Sequence, residues 1–216
     1  MKHSKSHLFK LLAALAAASM ALGAAATLSA CGAPDASSSG TSGASISSPS
    51  SDASSPAQSE APALLGEFTA SDLDGNEVDQ SIFEGRSLTM INIWATFCTP
   101  CLNEMPDLGA IHQEYADKDF QVVGIVIDVL NRDGTLDEGQ VELAKEIVGK
   151  TGADYLHLLP SNDLISAKLA EVSAVPETIF VDETGSVVGE SYRGARSKAE
   201  WQKIIDQLLE QVGEGA

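Results

Sequence analysis

The sequence WATFCTPC, residues 94–101, places two cysteines three positions apart directly after an apolar run. The only other cysteine in the chain is Cys31, far upstream. Two thiols at this spacing can bind a metal, close a structural disulfide, or exchange electrons with another protein. The residues around the pair help to choose among these three uses.

Metal binding and a purely structural disulfide are the weaker alternatives. Structural zinc sites take four ligands, and the chain beyond Cys31 adds only His112 and His157 to the pair. Copper carriers with two thiolates and a histidine usually have wider cysteine spacing. A disulfide closed over two intervening residues constrains the unfolded chain little. We therefore expect no metal and no cofactor, and a redox pair fits best.

The position of Cys98 favours redox chemistry. It follows a predicted buried strand and lies where the next helix begins, so free N–H groups and the helix dipole stabilise an anion there. Thiols of Cys-x-x-Cys motifs at such positions have pKa values of about 3.5–7.5, against about 8.5 for a free thiol. Cys101, one turn on, is expected to be less exposed and to resolve mixed disulfides. Pro100 fits the first helical turn, where its missing N–H costs nothing.

The first thirty residues predict export from the cytoplasm. A basic start is followed by uncharged, Ala- and Leu-rich residues 11–30, which is the layout of a signal peptide. The sequence Leu28-Ser29-Ala30-Cys31 resembles the lipobox of bacterial lipoproteins, in which the cysteine is lipidated and becomes the mature N-terminus. An uncleaved signal anchor and an ordinary cleavage after Ala30 remain alternatives. In each case residues beyond 31 lie outside the cytoplasm.

The rest of the chain divides into a tether and one domain. Residues 31–63 consist mainly of Ser, Ala, Gly and Pro and have no apolar periodicity. This composition predicts a disordered tether with a reach of about 30 Å. Residues 64–216 have the length of a single domain. They hold 28 acidic and 10 basic residues. This surface repels nucleic acid, so we expect no nucleic-acid partner.

Apolar periodicity in the domain predicts an α/β fold with a layered sheet. Asp74-Gly75 indicates an N-terminal β-hairpin. Near-continuous apolar runs, typical of a sheet covered on both faces, alternate with segments of helical period. The predicted strands are 87–95, 120–130, 155–159, 178–182 and 186–193, and the predicted helices are 99–116, 138–152, 164–172 and 197–212.

The sequence INIWATFCTPCLNEMP, residues 91–106, resembles the active-site segment of the extracytoplasmic thioredoxin-like reductases, the family of TlpA, ResA and the cytochrome c maturation thioredoxins. The similarity covers roughly residues 64–213. Phe97 stands where that family usually has Trp. The resemblance implies a thioredoxin-like fold, with a central mixed β-sheet flanked by helices, an N-terminal β-hairpin and a mid-domain αβ insertion.

The sequence AVPETIFVD, residues 174–182, matches the segment that the same family places opposite the cysteines. The resemblance implies a cis peptide bond before Pro176, which would present the backbone of Val175 to an extended substrate. Glu177 is similar to the cytochrome c maturation members, although a solvated loop residue is the alternative. The expected substrate-binding residues are Val175, Pro176, Phe97, Thr99 and Pro100.

Glu104 is the one charged residue on the core-facing stripe of the predicted active-site helix, one turn from Cys101. A half-buried carboxylate has a raised pKa and can exchange a proton near neutral pH. In the resembling family an acidic residue here assists the second cysteine, whereas a side chain turned to solvent is the alternative. We expect packing roles for Asn92 and Trp94, and no catalytic role for His112 and His157.

These observations predict a membrane-tethered thiol-disulfide oxidoreductase that acts as a reductase outside the cytoplasm. Its expected partners are disulfide-containing exported proteins, a DsbD/CcdA-like membrane electron donor, and the membrane itself through a lipid on Cys31. We expect a monomer. A disulfide oxidase or isomerase and a non-catalytic thioredoxin-like adaptor are the alternatives. A peroxidase is disfavoured, because peroxidases place Thr three residues before the cysteine, whereas Thr96 is two before Cys98.

Overall fold

The computed structural model of the protein describes residues 63–214. The predicted signal peptide, the lipidation of Cys31 and the tether up to residue 62 lie outside the described residues. Between residues 63 and 214, no helix is both long enough and apolar enough to cross a membrane.

Seven strands form two sheets, with helices between them. A two-stranded sheet pairs β1 with β2, and a five-stranded sheet has the order β5-β4-β3-β6-β7. In the larger sheet β3, β4 and β5 are parallel, while β6 and β7 run antiparallel to their neighbours. The strands are β1 (Thr69–Ser71), β2 (Glu77–Asp79), β3 (Leu88–Trp94), β4 (Phe120–Val126), β5 (Leu156–Leu158), β6 (Glu177–Val181) and β7 (Val187–Arg193).

The helices lie in the places that the apolar periodicity predicts. They are α1 (Thr99–Glu114), α2 (Glu138–Thr151), α3 (Asn162–Ala167) and α4 (Lys198–Glu214). Together with the mixed sheet and the N-terminal hairpin, they confirm the predicted fold class. The hairpin turns at Gly75, whose φ of 83° favours glycine.

Strand β3 is the centre of the fold, and every one of its residues is buried. Side chains of a strand alternate between its faces, so Met90 and Trp94 pack with α1, α2 and α4. Ile91 and Ile93 pack on the other face, against the hairpin segment and α3. Both faces of β3 are packed against other elements. The cysteine motif directly follows the carboxyl end of this strand, so its position is fixed by the packing of β3.

Two predicted elements are shorter than expected. Strand β4 ends at Val126. Residues 127–137 form a loop, in which Leu130 and Leu136 make an isolated β-bridge. The third predicted helix breaks at Lys168, whose ψ of −45° is accompanied by a φ of −144°, and a 3-10 turn follows. The Lys168 side chain turns inward to the buried carboxylate of Glu177.

Candidate active site at the start of helix α1

Cys98 and Cys101 form a disulfide at the carboxyl end of β3, with Cα atoms 5.3 Å apart. Cys98 is the N-cap of α1, and its Sγ accepts a hydrogen bond of 3.2 Å from the main-chain N–H of Cys101. The sulfur therefore lies where free N–H groups and the helix dipole stabilise negative charge. The thiolate role of Cys98 stays a prediction.

The two cysteines differ slightly in their exposure to solvent. Cys98 is 5 % exposed and Cys101 is fully buried, so the order agrees with the prediction. In this oxidised state, however, Cys98 is itself nearly buried, because it lies between the end of the sheet and the first turn of α1. Phe97, Thr99 and Pro100 surround it on the surface, and Phe97 is 75 % exposed.

The segment before Cys98 is held by Asp128, which the sequence analysis did not identify. Its carboxylate accepts a 2.6 Å hydrogen bond from the hydroxyl of Thr96 and two 3.0 Å contacts from the Thr96 main-chain N–H. Asp128 follows the buried run of β4, and β4 is the parallel neighbour of β3. Asp128 could have been predicted from the sequence, because it is a carboxylate at the end of the strand parallel to β3.

Pro176 lies at the same end of the sheet as the disulfide. The Val175–Pro176 peptide bond is cis, and β6 begins at Glu177, which pairs with Ile93 at the end of β3. The carbonyl of Pro176 accepts a hydrogen bond of 2.9 Å from Gly194, and Val175 remains half-buried. The substrate-binding roles of these two residues stay a prediction.

Glu177 is not a solvated loop residue, and that alternative is wrong. Its side chain is fully buried and binds Lys168 Nζ at 2.6 Å, Ser191 Oγ at 2.8 Å and Arg193 Nε at 3.3 Å. Burial alone would raise the pKa of Glu177. The hydrogen bonds and the Lys168 charge outweigh burial and lower that pKa below its ordinary value.

Glu104 is turned inward, 4 % exposed, between β3 and α4. Its Oε1 accepts from Asn92 Nδ2 at 3.0 Å, and its Oε2 accepts from the main-chain N–H of Arg196 at 3.1 Å and from Trp201 Nε1 at 3.3 Å. Burial raises the pKa of Glu104, and these donors offset only part of that rise. A raised pKa of Glu104 agrees with the prediction of a carboxyl that can exchange a proton.

Asn92 does more than pack, in contrast to the expectation from the sequence. Its Nδ2 donates both to Glu104 and, at 3.1 Å, to Thr178 Oγ1. The other residues without an expected catalytic role have structural contacts. Trp94 Nε1 donates to His157 Nδ1 at 3.2 Å, and burial lowers the pKa of His157 to about 4. His112 Nδ1 accepts from the main-chain N–H of Val122 at 3.1 Å.

Within residues 63–214, no cluster of three or more His, Cys, Asp or Glu side chains is arranged to hold a metal ion. The arrangement that is present is a strand, a dithiol pair capping a helix, and a cis-proline at the same sheet end. It defines the class of thioredoxin-fold thiol-disulfide oxidoreductases. The sequence profile of the Redoxin family matches residues 56–205, and the chain belongs to that family.

Relatives and solved structures agree with this assignment. The thiol-disulfide oxidoreductase ResA of Bacillus thuringiensis subsp. konkukian is 22 % identical over 149 residues, which are 69 % of this chain and 76 % of the relative. A thiol:disulfide interchange protein of Chlorobium tepidum superposes with a TM-score of 0.56 at 24 % identity, over 66 % of this chain and 93 % of the other. DsbF of Mycobacterium tuberculosis gives 0.54 at 26 % identity, over 68 % and 98 %.

These comparisons confirm three predictions: the TlpA/ResA-like resemblance, the thioredoxin-like fold and the thiol-disulfide oxidoreductase activity. The protein is an enzyme of that class. The individual roles of Cys98, Cys101 and Glu104 and of the expected substrate-binding residues stay predictions.

Proposed function

We propose that the protein is a membrane-tethered reductase of disulfides in exported proteins, working outside the cytoplasm. The observation that carries this proposal is that two cysteines of different exposure and a buried carboxyl lie together in one site. Cys98 caps α1 and is 5 % exposed, Cys101 is fully buried, and a buried carboxyl, Glu104, lies one turn further along the helix. Such a site has an attacking thiol, a resolving thiol and a proton acceptor.

The first step joins enzyme and substrate. The Cys98 thiolate attacks one sulfur of the substrate disulfide, which forms a mixed disulfide and breaks the substrate S–S bond. The second substrate sulfur leaves as a thiolate and takes a proton from water. An extended substrate segment pairs with the backbone at Val175 and Pro176, in the manner of an added strand. Phe97, Thr99 and Pro100 supply its further contacts.

The second step releases the substrate. The Cys101 thiol gives its proton to the Glu104 carboxylate and attacks Cys98 Sγ, so the Cys98–Cys101 bond forms and the mixed disulfide breaks. The remaining substrate sulfur leaves as a thiolate and is protonated. Two electrons have then passed from the dithiol to the substrate, and the enzyme is left oxidised, in the state of this structure. A membrane donor of the DsbD/CcdA kind would return two electrons.

The sequence supports the proposed compartment and one class of substrate. The basic and apolar start, the lipobox-like Leu28-Ser29-Ala30-Cys31 and the Ser/Ala-rich tether support lipid anchoring of a domain outside the cytoplasm. The sequence Pro176-Glu177-Thr178 is similar to the cytochrome c maturation members of the family. This similarity supports apocytochrome c as one of the substrates. Replacement of Cys31 by Ser should abolish labelling with radioactive palmitate, and equal labelling of variant and parent would exclude Cys31 as the lipid site.

The direction of electron flow is tested by the reduction potential of the Cys98–Cys101 couple, measured in equilibrium with glutathione. We expect a value nearer the roughly −270 mV of thioredoxin than the roughly −120 mV of a strong oxidant. A value above about −150 mV would contradict a reductase. It would favour the disulfide oxidase or isomerase, whose site would be the same.

A further inference from the structure

The side-chain amide of Asn92 is bonded at one end and unpartnered at the other. Its Nδ2 donates to Glu104 Oε1 at 3.0 Å and to Thr178 Oγ1 at 3.1 Å. Its Oδ1 is buried and accepts no hydrogen bond from any protein group among residues 63–214. A buried acceptor without a donor costs free energy, and its presence in a native site calls for an explanation.

The two oxygens of Glu104 have different partners. Oε2 accepts from the main-chain N–H of Arg196 and from the indole N–H of Trp201. Both of these groups are donors only and can never accept a proton. A proton on Oε2 would therefore point at two N–H groups. Within the described residues, Oε1 has a single hydrogen-bond partner, the amide of Asn92. When Glu104 takes up a proton, Oε1 is the oxygen that can carry it.

A proton on Oε1 changes what this oxygen needs from its neighbour. The protonated oxygen becomes a donor, and the Nδ2 end of the Asn92 amide, also a donor, no longer fits. Half a turn about the last side-chain bond of Asn92 brings Oδ1 into the same place, where it accepts from Glu104. The Thr178 hydroxyl can donate as well as accept, so it follows the reversal by turning its own hydrogen toward Oδ1.

We propose that Asn92 is a positioning residue for Glu104, and that its amide reverses when Glu104 takes up a proton on Oε1. The inference deepens the proposed function and rests on it in one respect, that the proton comes from Cys101. The reversal gives both protonation states of the carboxyl a matched partner. Oδ1, which has no partner in the described part of the chain, is the acceptor that the protonated carboxyl needs.

Two titratable groups from other elements interact with Glu104. The Arg196 guanidinium stacks 5.0 Å from the rings of Tyr192 and Trp201, and its positive charge favours ionised Glu104. The Tyr155 hydroxyl is buried and stays protonated, because burial, followed by the Glu104 charge, raises its pKa. On α1 itself, Cys101 does not titrate in the oxidised protein, since its sulfur is in the disulfide.

Glu104→Gln should lock the amide in the reversed orientation. The two N–H donors from Arg196 and Trp201 require an oxygen at the Oε2 place, so the new side chain must turn its NH₂ toward Asn92. Asn92 then has to present Oδ1, as it would to a protonated Glu104. The variant is nearly isosteric with the parent, and it is expected to fold.

The test follows the Asn92 amide by NMR in the oxidised full-length chain labelled with ¹⁵N-asparagine. The chain has five asparagines, and the other four are exposed, so slow solvent exchange identifies the amide of Asn92. At high pH its amide protons should show nuclear Overhauser contacts to the Thr178 side chain. These contacts should disappear with the midpoint at which the ¹³C signal of the Glu104 carboxyl titrates.

Two variants complete the test. In Glu104→Gln the contacts to Thr178 should be absent at every pH. In the control Glu114→Gln, which removes an exposed carboxyl at the end of the same helix, the contacts and their pH midpoint should match the parent. Contacts that persist through the titration of Glu104, or that remain in Glu104→Gln, would overturn the inference. Catalytic turnover does not enter these readouts, so a failure of the proposed reductase activity would be recognised separately.

Discussion

Trp201 in α4 donates its indole N–H to the carboxylate of Glu104 in α1, over 3.3 Å and across 97 positions of the chain. Helix α4 thereby contacts the active-site helix at a buried charged group one turn from Cys101. A donor to a carboxylate stabilises the ionised form and lowers its pKa, while burial raises it. The proton affinity of Glu104 is thus set by burial and by donors from β3, from α4 and from the segment before α4, which meet only in the folded protein.

Trp201→Phe should raise the pKa of Glu104 further, because the ionised form loses a donor while the site stays buried. The shift can be followed by ¹³C NMR of the Glu104 carboxyl across pH. Ile205→Val is the matched control, since it also trims a buried side chain of α4. Both variants should be less stable, but only Trp201→Phe should move the titration. Equal midpoints in the two variants would show that the indole does not act on Glu104.

The pH dependence of stability should change in Glu104→Gln. The pKa of Glu104 in the folded protein lies above the ordinary value of 4.5, so the folded state binds its proton more tightly than the unfolded state does. This contribution is fully present below about pH 4.5 and is lost as pH rises through the folded-state pKa. Urea unfolding at several pH values should show the parent losing stability relative to Glu104→Gln over that window. A constant difference across the window would contradict the raised pKa.

Glu177→Gln should destabilise the protein by about 3 kcal/mol, because it leaves Lys168 buried without its counter-charge. Lys168, just after α3, and Arg193 in β7 both reach Glu177, so the loss should also loosen the segment that carries Pro176. Glu190→Gln, an exposed change on β7, should have an effect within about 0.5 kcal/mol. Denaturant unfolding compares the two. Similar values would mean that the buried ion pair contributes no net stability.

Phe97→Ala should weaken substrate binding without weakening the fold. The ring is 75 % exposed, so its removal should change the free energy of unfolding by no more than about 0.5 kcal/mol. If the ring contacts the substrate, KM for a disulfide substrate should rise while kcat stays close to that of the parent. Leu136→Ala, which trims another exposed apolar side chain, should leave both constants unchanged. An unchanged KM in Phe97→Ala would remove Phe97 from the binding surface.

The order of strands and helices along the chain could be predicted from the sequence, because buried strands appear as continuous apolar runs and helices as apolar residues at helical spacing. The cysteine pair and Glu104 could be predicted because they share one helix, where spacing fixes which residues are neighbours. Asn92, Arg196 and Trp201 could not be found in this way, since they meet Glu104 from β3 and from the far end of the chain. The burial of Glu177 was missed for the same reason, because both of its cationic partners come from other elements.

The most direct measurement for the central claim is the trapping of partners by two serine variants of the cysteine pair. Cys98 caps the helix and keeps a small exposed fraction, whereas Cys101 is fully buried. Cys101→Ser removes only the resolving step, so mixed disulfides between Cys98 and exported proteins should accumulate. Cys98→Ser should accumulate none. Non-reducing gels, with the captured bands identified by mass spectrometry, give the answer, and equal trapping by both variants would contradict the division of roles between the two thiols.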